Sequence, residues 1–80
     1  MSTENPRITF AARHDGSLRI QVRYPNGFGA SVIPCDMGGS ELAVLQFSDP
    51  STDDYIIVGE PESCLTRRDV LRRLDAIQAK

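Results

Sequence analysis

Apolar and polar positions alternate along the first third of the chain. Over residues 7–13, Ile8, Phe10 and Ala12 share one face; over residues 18–24, Leu18, Ile20, Val22 and Tyr24 share one face, with Arg19, Gln21 and Arg23 opposite. A period of two is the signature of half-buried strands. His14-Asp15-Gly16 lies between them, and the pattern tests the register. A two-residue Asp-Gly loop would set Phe10 opposite Gln21, whereas a three-residue loop sets it opposite Ile20. Only the second keeps one face apolar, with Ala12 against Leu18, Phe10 against Ile20 and Ile8 against Val22. A type I turn is therefore expected, with Gly16 in the left-handed conformation forming a bulge. The same register sets Arg7 opposite Arg23, an unfavourable pair of like charges that points to an acidic partner or to aspartates from a neighbouring loop.

Pro25-Asn26-Gly27 repeats the device: proline presets φ at the first turn position and glycine accepts positive φ at the end. It predicts Tyr24 paired with Phe28, Val22 with Ala30 and Ile20 with Val32, and so a third antiparallel strand. Pro34 ends that strand, and residues 35–40, with adjacent Gly38 and Gly39, read as a flexible loop. Residues 41–47 form a fourth strand, too uniformly apolar to alternate and hence central or covered on both sides. Asp49–Asp53 is a turn, and Tyr55–Val58 a short fifth strand. A helix closes the chain over residues 65–79. Thr66 and Asp69 have capping-box spacing, and Val70, Leu71, Leu74 and Ile77 make an apolar stripe. Arg67 and Arg68 stand in its first turn, where the dipole disfavours them, so Asp69 and other carboxylates are expected to neutralise them. The fold class is thus α+β: an antiparallel four- to five-stranded meander sheet over residues 7–58 with one C-terminal helix packed on one face. Residues 1–80 read as a single domain with a flexible N-terminal segment, residues 1–6. The strand order after the third is left open.

Composition adds limits. At 80 residues, 40% apolar and 25% charged, the chain is an ordinary globular domain. It has no apolar run of the roughly 20 residues that span a bilayer and no basic start followed by an apolar core. A cytoplasmic location is expected. Cys35 and Cys64 are then expected to be two reduced thiols. A net charge of -2 hides a sorted distribution. No lysine or arginine falls between Arg23 and Arg67, and that stretch carries Asp36, Glu41, Asp49, Asp53, Asp54, Glu60 and Glu62. The acidic balance argues against general affinity for nucleic acid, which rests on phosphate neutralisation. One-signed regions do steer protein partners.

Catalytic chemistry is sparse. The single histidine, His14, sits in a hairpin tip, Cys64 near the helix cap reads as packing, and no spacing suits zinc or calcium. Gly27-Phe28-Gly29 opens a strand instead of a helix, so it fails the dinucleotide pattern. No cofactor, no metal and no enzymatic activity are expected. Two surfaces remain as candidates. One is the acidic set, Asp36, Glu41, Asp49, Asp53, Asp54, Glu60 and Glu62. The other is the outer face of the first hairpin, with Arg7, Arg13, Arg19 and Arg23.

The segments Pro25–Ile33 (Pro-Asn-Gly-Phe-Gly-Ala-Ser-Val-Ile), Gly38-Gly39, Glu41–Leu45 (Glu-Leu-Ala-Val-Leu), Thr52-Asp53-Asp54 and Leu65-Thr66-x-x-Asp69-Val70-Leu71, with Leu74 and Ile77, resemble a group of short uncharacterised bacteriophage and prophage proteins. The chain departs from them in lacking an aromatic residue in the glycine loop, and Tyr55–Ser63 reads as an insertion. The resemblance implies a mobile-element origin and a role of the anti-CRISPR kind, inhibiting a host defence complex in the bacterial cytoplasm. The acidic set would then meet a basic surface on a CRISPR effector subunit, without a membrane and without direct nucleic-acid binding. Two other readings stay open: a structural or regulatory module that self-associates through a strand edge, and a nucleic-acid binder using the arginine face.

Overall fold

A computed structural model describes residues 6–36, 38–49 and 51–80. All but Pro6 of the expected flexible N-terminal segment lies outside the described residues, as do Met37 of the glycine loop and Pro50 of the acidic turn. Five strands, β1 (Arg7–Ala12), β2 (Leu18–Arg23), β3 (Phe28–Pro34), β4 (Ser40–Phe47) and β5 (Tyr55–Leu65), are followed by one helix, α1 (Arg67–Gln78). The strands form a single sheet in the order β1-β2-β3-β4-β5, every neighbour antiparallel. Short connections favour this meander, which resolves the strand order that the pattern left open.

The first two registers agree with the alternation. Ala12 faces Leu18, Phe10 faces Ile20, Ile8 faces Val22 and Arg7 faces Arg23; Val22 then faces Ala30 and Ile20 faces Val32. Gly16 has φ +87° and donates to the Arg13 carbonyl at 3.0 Å, closing the bulged turn. The Tyr24 amide bonds the Phe28 carbonyl at 2.8 Å across the second turn.

β5 differs from the expected short strand. It runs for 11 residues, Tyr55–Leu65, where the pattern predicted a strand over Tyr55–Val58 alone. The register with β4 shifts twice, so that β5 leaves the ladder after Val44↔Val58, bends at Gly59 (φ +74°) and rejoins at Leu42↔Glu62 and Ser40↔Leu65. Pro61 is tolerated because β5 is an edge strand, where a missing amide hydrogen leaves no ladder bond open. The helix accordingly starts at Arg67, because Leu65 belongs to the sheet and Thr66 is the cap.

The capping box is complete: Thr66 Oγ1 accepts from the Asp69 amide at 3.2 Å and Asp69 Oδ2 accepts from the Thr66 amide at 3.2 Å. The Thr66 hydroxyl also donates to Asp69 Oδ2 at 2.9 Å, and this bond, then that from the Thr66 amide, holds the Asp69 carboxyl below its ordinary pKa. Arg67 and Arg68 are exposed at the positive end of the dipole, and neither makes the expected ion pair with a described carboxylate. α1 lies over β3, β4 and β5. Its Ile77, with Val70 and Leu74 alongside, closes a core of Val22, Tyr24, Ala30, Val32, Leu42 and Leu65. Two polar clamps fix it in place. Arg73 grips Glu62 of β5 through two bonds of 2.8 and 2.9 Å, and Asn26 Nδ2 donates to the last-turn carbonyls of Ile77 (2.9 Å) and Gln78 (3.2 Å). A turn asparagine thereby satisfies carbonyls that every helix leaves open at its end. Burial, then the Asp75 carboxylate, pushes the Tyr24 phenol above its usual pKa.

β4 is covered on both faces, as its unbroken apolar run predicts. Leu42 is buried on the helix side, while Leu45 and Phe47 are buried on the other. The helix does not reach β1, all six residues of which are exposed.

Candidate binding surfaces

On the face away from the helix, the strands carry Arg19, Gln21 and Arg23 on β2, small residues Gly29, Ser31 and Ala43 in the middle, and Leu45, Phe47, Tyr55 and Ile57 beyond. Small central residues let long side chains lie across the sheet. The Arg23 guanidinium sits 4.2 Å from the Phe47 ring centre. It donates to the Thr52 carbonyl at 2.7 Å and the Asp49 carbonyl at 2.9 Å, with Asp53 Oδ1 at 3.4 Å. Cation–π contact and charge-assisted bonds together make Arg23 the organiser of the β4–β5 connection. Arg19 reaches from β2 to the Tyr55 hydroxyl on β5 (3.1 Å) and also bonds Gln21, and Tyr55 packs edge-on against Phe47 with ring centres 5.7 Å apart. These side chains lie along the sheet over β3 and β4, which stand between those two strands. Arg13 is held within its own hairpin by Ser17 (3.1 Å) and Asp15 (3.6 Å). Of the Arg7–Arg23 pair, Arg23 is answered by the neighbouring loop, through the Asp53 carboxylate and the Asp49 and Thr52 main-chain carbonyls. Three of the four arginines of the alternative face are engaged inside the molecule, and Arg7 is exposed at the start of β1.

The seven central carboxylates separate into groups. Asp49, Asp53 and Asp54 lie in the β4–β5 connection; Asp36 lies in the β3–β4 connection, at the other end of a strand roughly 26 Å long. Glu41 stands on β4 opposite Ile33. Glu60 and Glu62 are on β5. Asp49 is a turn former, its Oδ1 accepting from the Ser51 amide (2.8 Å) and hydroxyl (2.7 Å), bonds that lower its pKa. Glu62 is likewise lowered, chiefly by its bonds from Arg73. Asp36, Glu41, Asp54 and Glu60 make no ion pair with a described residue, and Asp53 is 92% exposed despite its contact with Arg23.

Among the described residues both sheet edges are unpaired, and they differ. On β5, Tyr55, Ile56, Ile57 and Val58 are exposed, Ile56 by 60%, bracketed by Asp53 and Asp54 before and Glu60 and Glu62 after. Pro61, the Gly59 bend and the register shifts blunt the second half of that edge. On β1, Ile8 and Phe10 are 54% and 65% exposed beside Leu18 of β2, and no proline, bulge or inward charge interrupts the strand. The alternation puts Ile8, Phe10 and Leu18 on the apolar face with Val22 and Ile20, yet all three are exposed. The alternation identified their face correctly, but nothing in it says how far a 12-residue helix extends across five strands.

Among the described residues, no three His, Cys, Asp or Glu side chains converge to hold a metal ion. No helix of the described residues is long and apolar enough to cross a membrane. His14 lies with Arg13, Asp15 and Arg19 around an open depression at the β1–β2 turn. Compared with known proteins, the chain matches no family model, no curated protein and no solved structure.

Proposed function

We propose that this protein acts by binding and not by catalysis: a small inhibitor of the mobile-element kind that seats an acidic surface on a basic region of a host nucleic-acid-handling complex, such as a CRISPR effector subunit. One observation carries the reading. The β5 edge offers an apolar strip, Tyr55–Val58, between Asp53 and Asp54 on one side and Glu60 on the other. An apolar centre with a charged rim is the anatomy of a protein interface, and carboxylates with no strong internal partner can neutralise lysines and arginines that otherwise hold nucleic acid. The contact set is accordingly narrower than the seven acids: Asp49 and Glu62 hold the fold, and Asp36 is a strand length away. Capture from lysates of bacteria carrying CRISPR systems is expected to retain one such complex. Reversing Asp53, Asp54 and Glu60 together to lysine should then weaken binding roughly 10- to 100-fold, and moderate salt should weaken the wild type. Unchanged affinity in the triple variant rejects the electrostatic contact.

A second reading, self-association, is favoured by the unblunted β1 edge. The Arg13 amide bonds the Ser17 carbonyl, so odd-numbered residues of β1 turn their backbone groups toward β2 and Ile8, Phe10 and Ala12 turn theirs outward. A two-fold pairing of β1 with a second β1, Ile8 against Phe10 in both directions, would join two apolar patches and set Arg7 against Ala11 instead of another arginine. Light scattering is expected to give twice the monomer mass at high concentration, and Phe10→Asp to return the monomer; a wild type that stays monomeric removes this reading.

A further inference from the structure

The β3–β4 turn and the end of β5 bring the two cysteines of the chain together, though they are 29 positions apart in sequence. The Cys64 amide donates to Cys35 Sγ at 3.3 Å. Cys64 is also the one non-glycine residue of positive φ among the described residues, at +59°. A side chain in the left-handed region is disfavoured, and such a residue persists where its surroundings demand it. The surroundings here are close. Gly39 lies against the Cys64 backbone so tightly that a Cβ at Gly39 would stand 2.8 Å from the Leu65 carbonyl oxygen and 3.2 Å from the Cys64 carbonyl carbon. The turn is fastened by the Cys35 amide on the Gly39 carbonyl (3.0 Å) and the Gly38 amide on the Cys35 carbonyl (3.1 Å). Nothing in the binding role uses this arrangement.

We propose that Cys35 and Cys64 are a dithiol site that takes a low-molecular-weight disulfide as its oxidant and closes to an intramolecular disulfide. The Cα of Cys64 is one bond of about 1.5 Å beyond the amide nitrogen, which puts it within about 5 Å of the Cys35 sulfur. A sulfur this near the opposite Cα is the approach that a bridge requires, its two sulfurs finally standing about 2.0 Å apart. Both sulfurs are free thiols; Cys64 is exposed and Cys35 half-buried, which orders the steps. The Cys64 thiolate attacks one sulfur of the small disulfide, forming a mixed disulfide and releasing one small thiolate. The Cys35 thiolate then attacks the Cys64 sulfur and releases the second. Two protein thiols lose two electrons to the small disulfide, and their two protons end on the two small thiols. The bridge would tie the β3–β4 turn to the strand end two residues before the helix cap, closing a loop that contains β4, the acidic connection and most of β5.

The test uses the intact protein in mixtures of oxidised and reduced glutathione. Wild type is expected to lose two hydrogens by intact mass, to carry no glutathione, and to recover both thiols with excess reduced glutathione. Because no lysine or arginine lies between Arg23 and Arg67, trypsin leaves both cysteines in one peptide; cleavage after Glu41 and Glu62 should yield fragments joined only through Cys35 and Cys64. The bridge should raise the thermal midpoint by roughly 10 °C. Cys35→Ser is expected to hold glutathione on Cys64, since the resolving thiol is gone, with circular dichroism confirming that the variant is folded. Wild type that keeps both thiols, accumulates glutathione adducts or links into dimers under the same mixtures overturns the proposal, whatever the variant does.

Discussion

Leu42→Ala is expected to remove about 3 kcal/mol of stability, more than half of what an 80-residue domain of this kind commands. Leu42 is 1% exposed and stands mid-strand on β4, opposite Val32 on one side and Glu62 on the other, beneath the helix stripe. The cost combines lost transfer free energy with the cavity left behind. Collapse around that cavity is restricted, because Arg73–Glu62 pins the helix at its middle and Asn26–Ile77 at its C-terminal end. A fall in the thermal midpoint of roughly 12–24 °C should follow, read by circular dichroism with urea unfolding as a check. A loss below about 1 kcal/mol would mean that the helix does not cover β4.

Gly29→Ala is the second large effect, expected at about 2–3 kcal/mol. Gly29 has an ordinary φ, so the obstacle is space and not conformation. An added Cβ would overlap the Val22 carbonyl oxygen and meet Phe47 Cε2 at 2.9 Å and the Arg23 Cα at 3.3 Å. The phenyl ring can swing away. The Val22 carbonyl belongs to the β2–β3 pairing and cannot move without opening it. Either adjustment reaches the proposed contact surface, because Phe47 is the ring on which Arg23 lies while holding the Asp49 and Thr52 carbonyls. Hydrogen exchange is therefore expected to quicken in residues 51–54 together with the loss of stability. Destabilisation with unchanged exchange there would separate the sheet from the loop.

What was legible in the sequence follows from how local each signal is. Gly16 and Gly27 fixed two turns, and once loop length was set, alternation left one register that kept a single face apolar. Thr66 and Asp69 marked the helix start because a capping box needs only four consecutive residues. β5 was under-read for the same reason. Gly59, Pro61 and two glutamates look like loop to a local rule, and only the partner strand β4 shows that the chain leaves the ladder and returns. The candidate site was legible in part. The seven acids were found by counting, but counting does not tell Asp49 and Glu62, which bond within the fold, from Asp54 and Glu60. Nor does it show that Arg19 and Arg23 are drawn across the sheet toward Tyr55 and the acidic connection.

The amino-acid sequence by itself determined the strands β1 to β4, the two hairpin registers, the capped helix and the sorting of charge into blocks, because each depends on backbone preference and side-chain period over a few neighbouring residues. Only the tertiary structure decided that β5 is a long bent edge strand, that the helix leaves Ile8, Phe10 and Leu18 uncovered, and that Cys35 comes to lie against Cys64. These depend on contacts between segments far apart in the chain, where strand pairing and the reach of a 12-residue helix, and not local preference, set which groups meet.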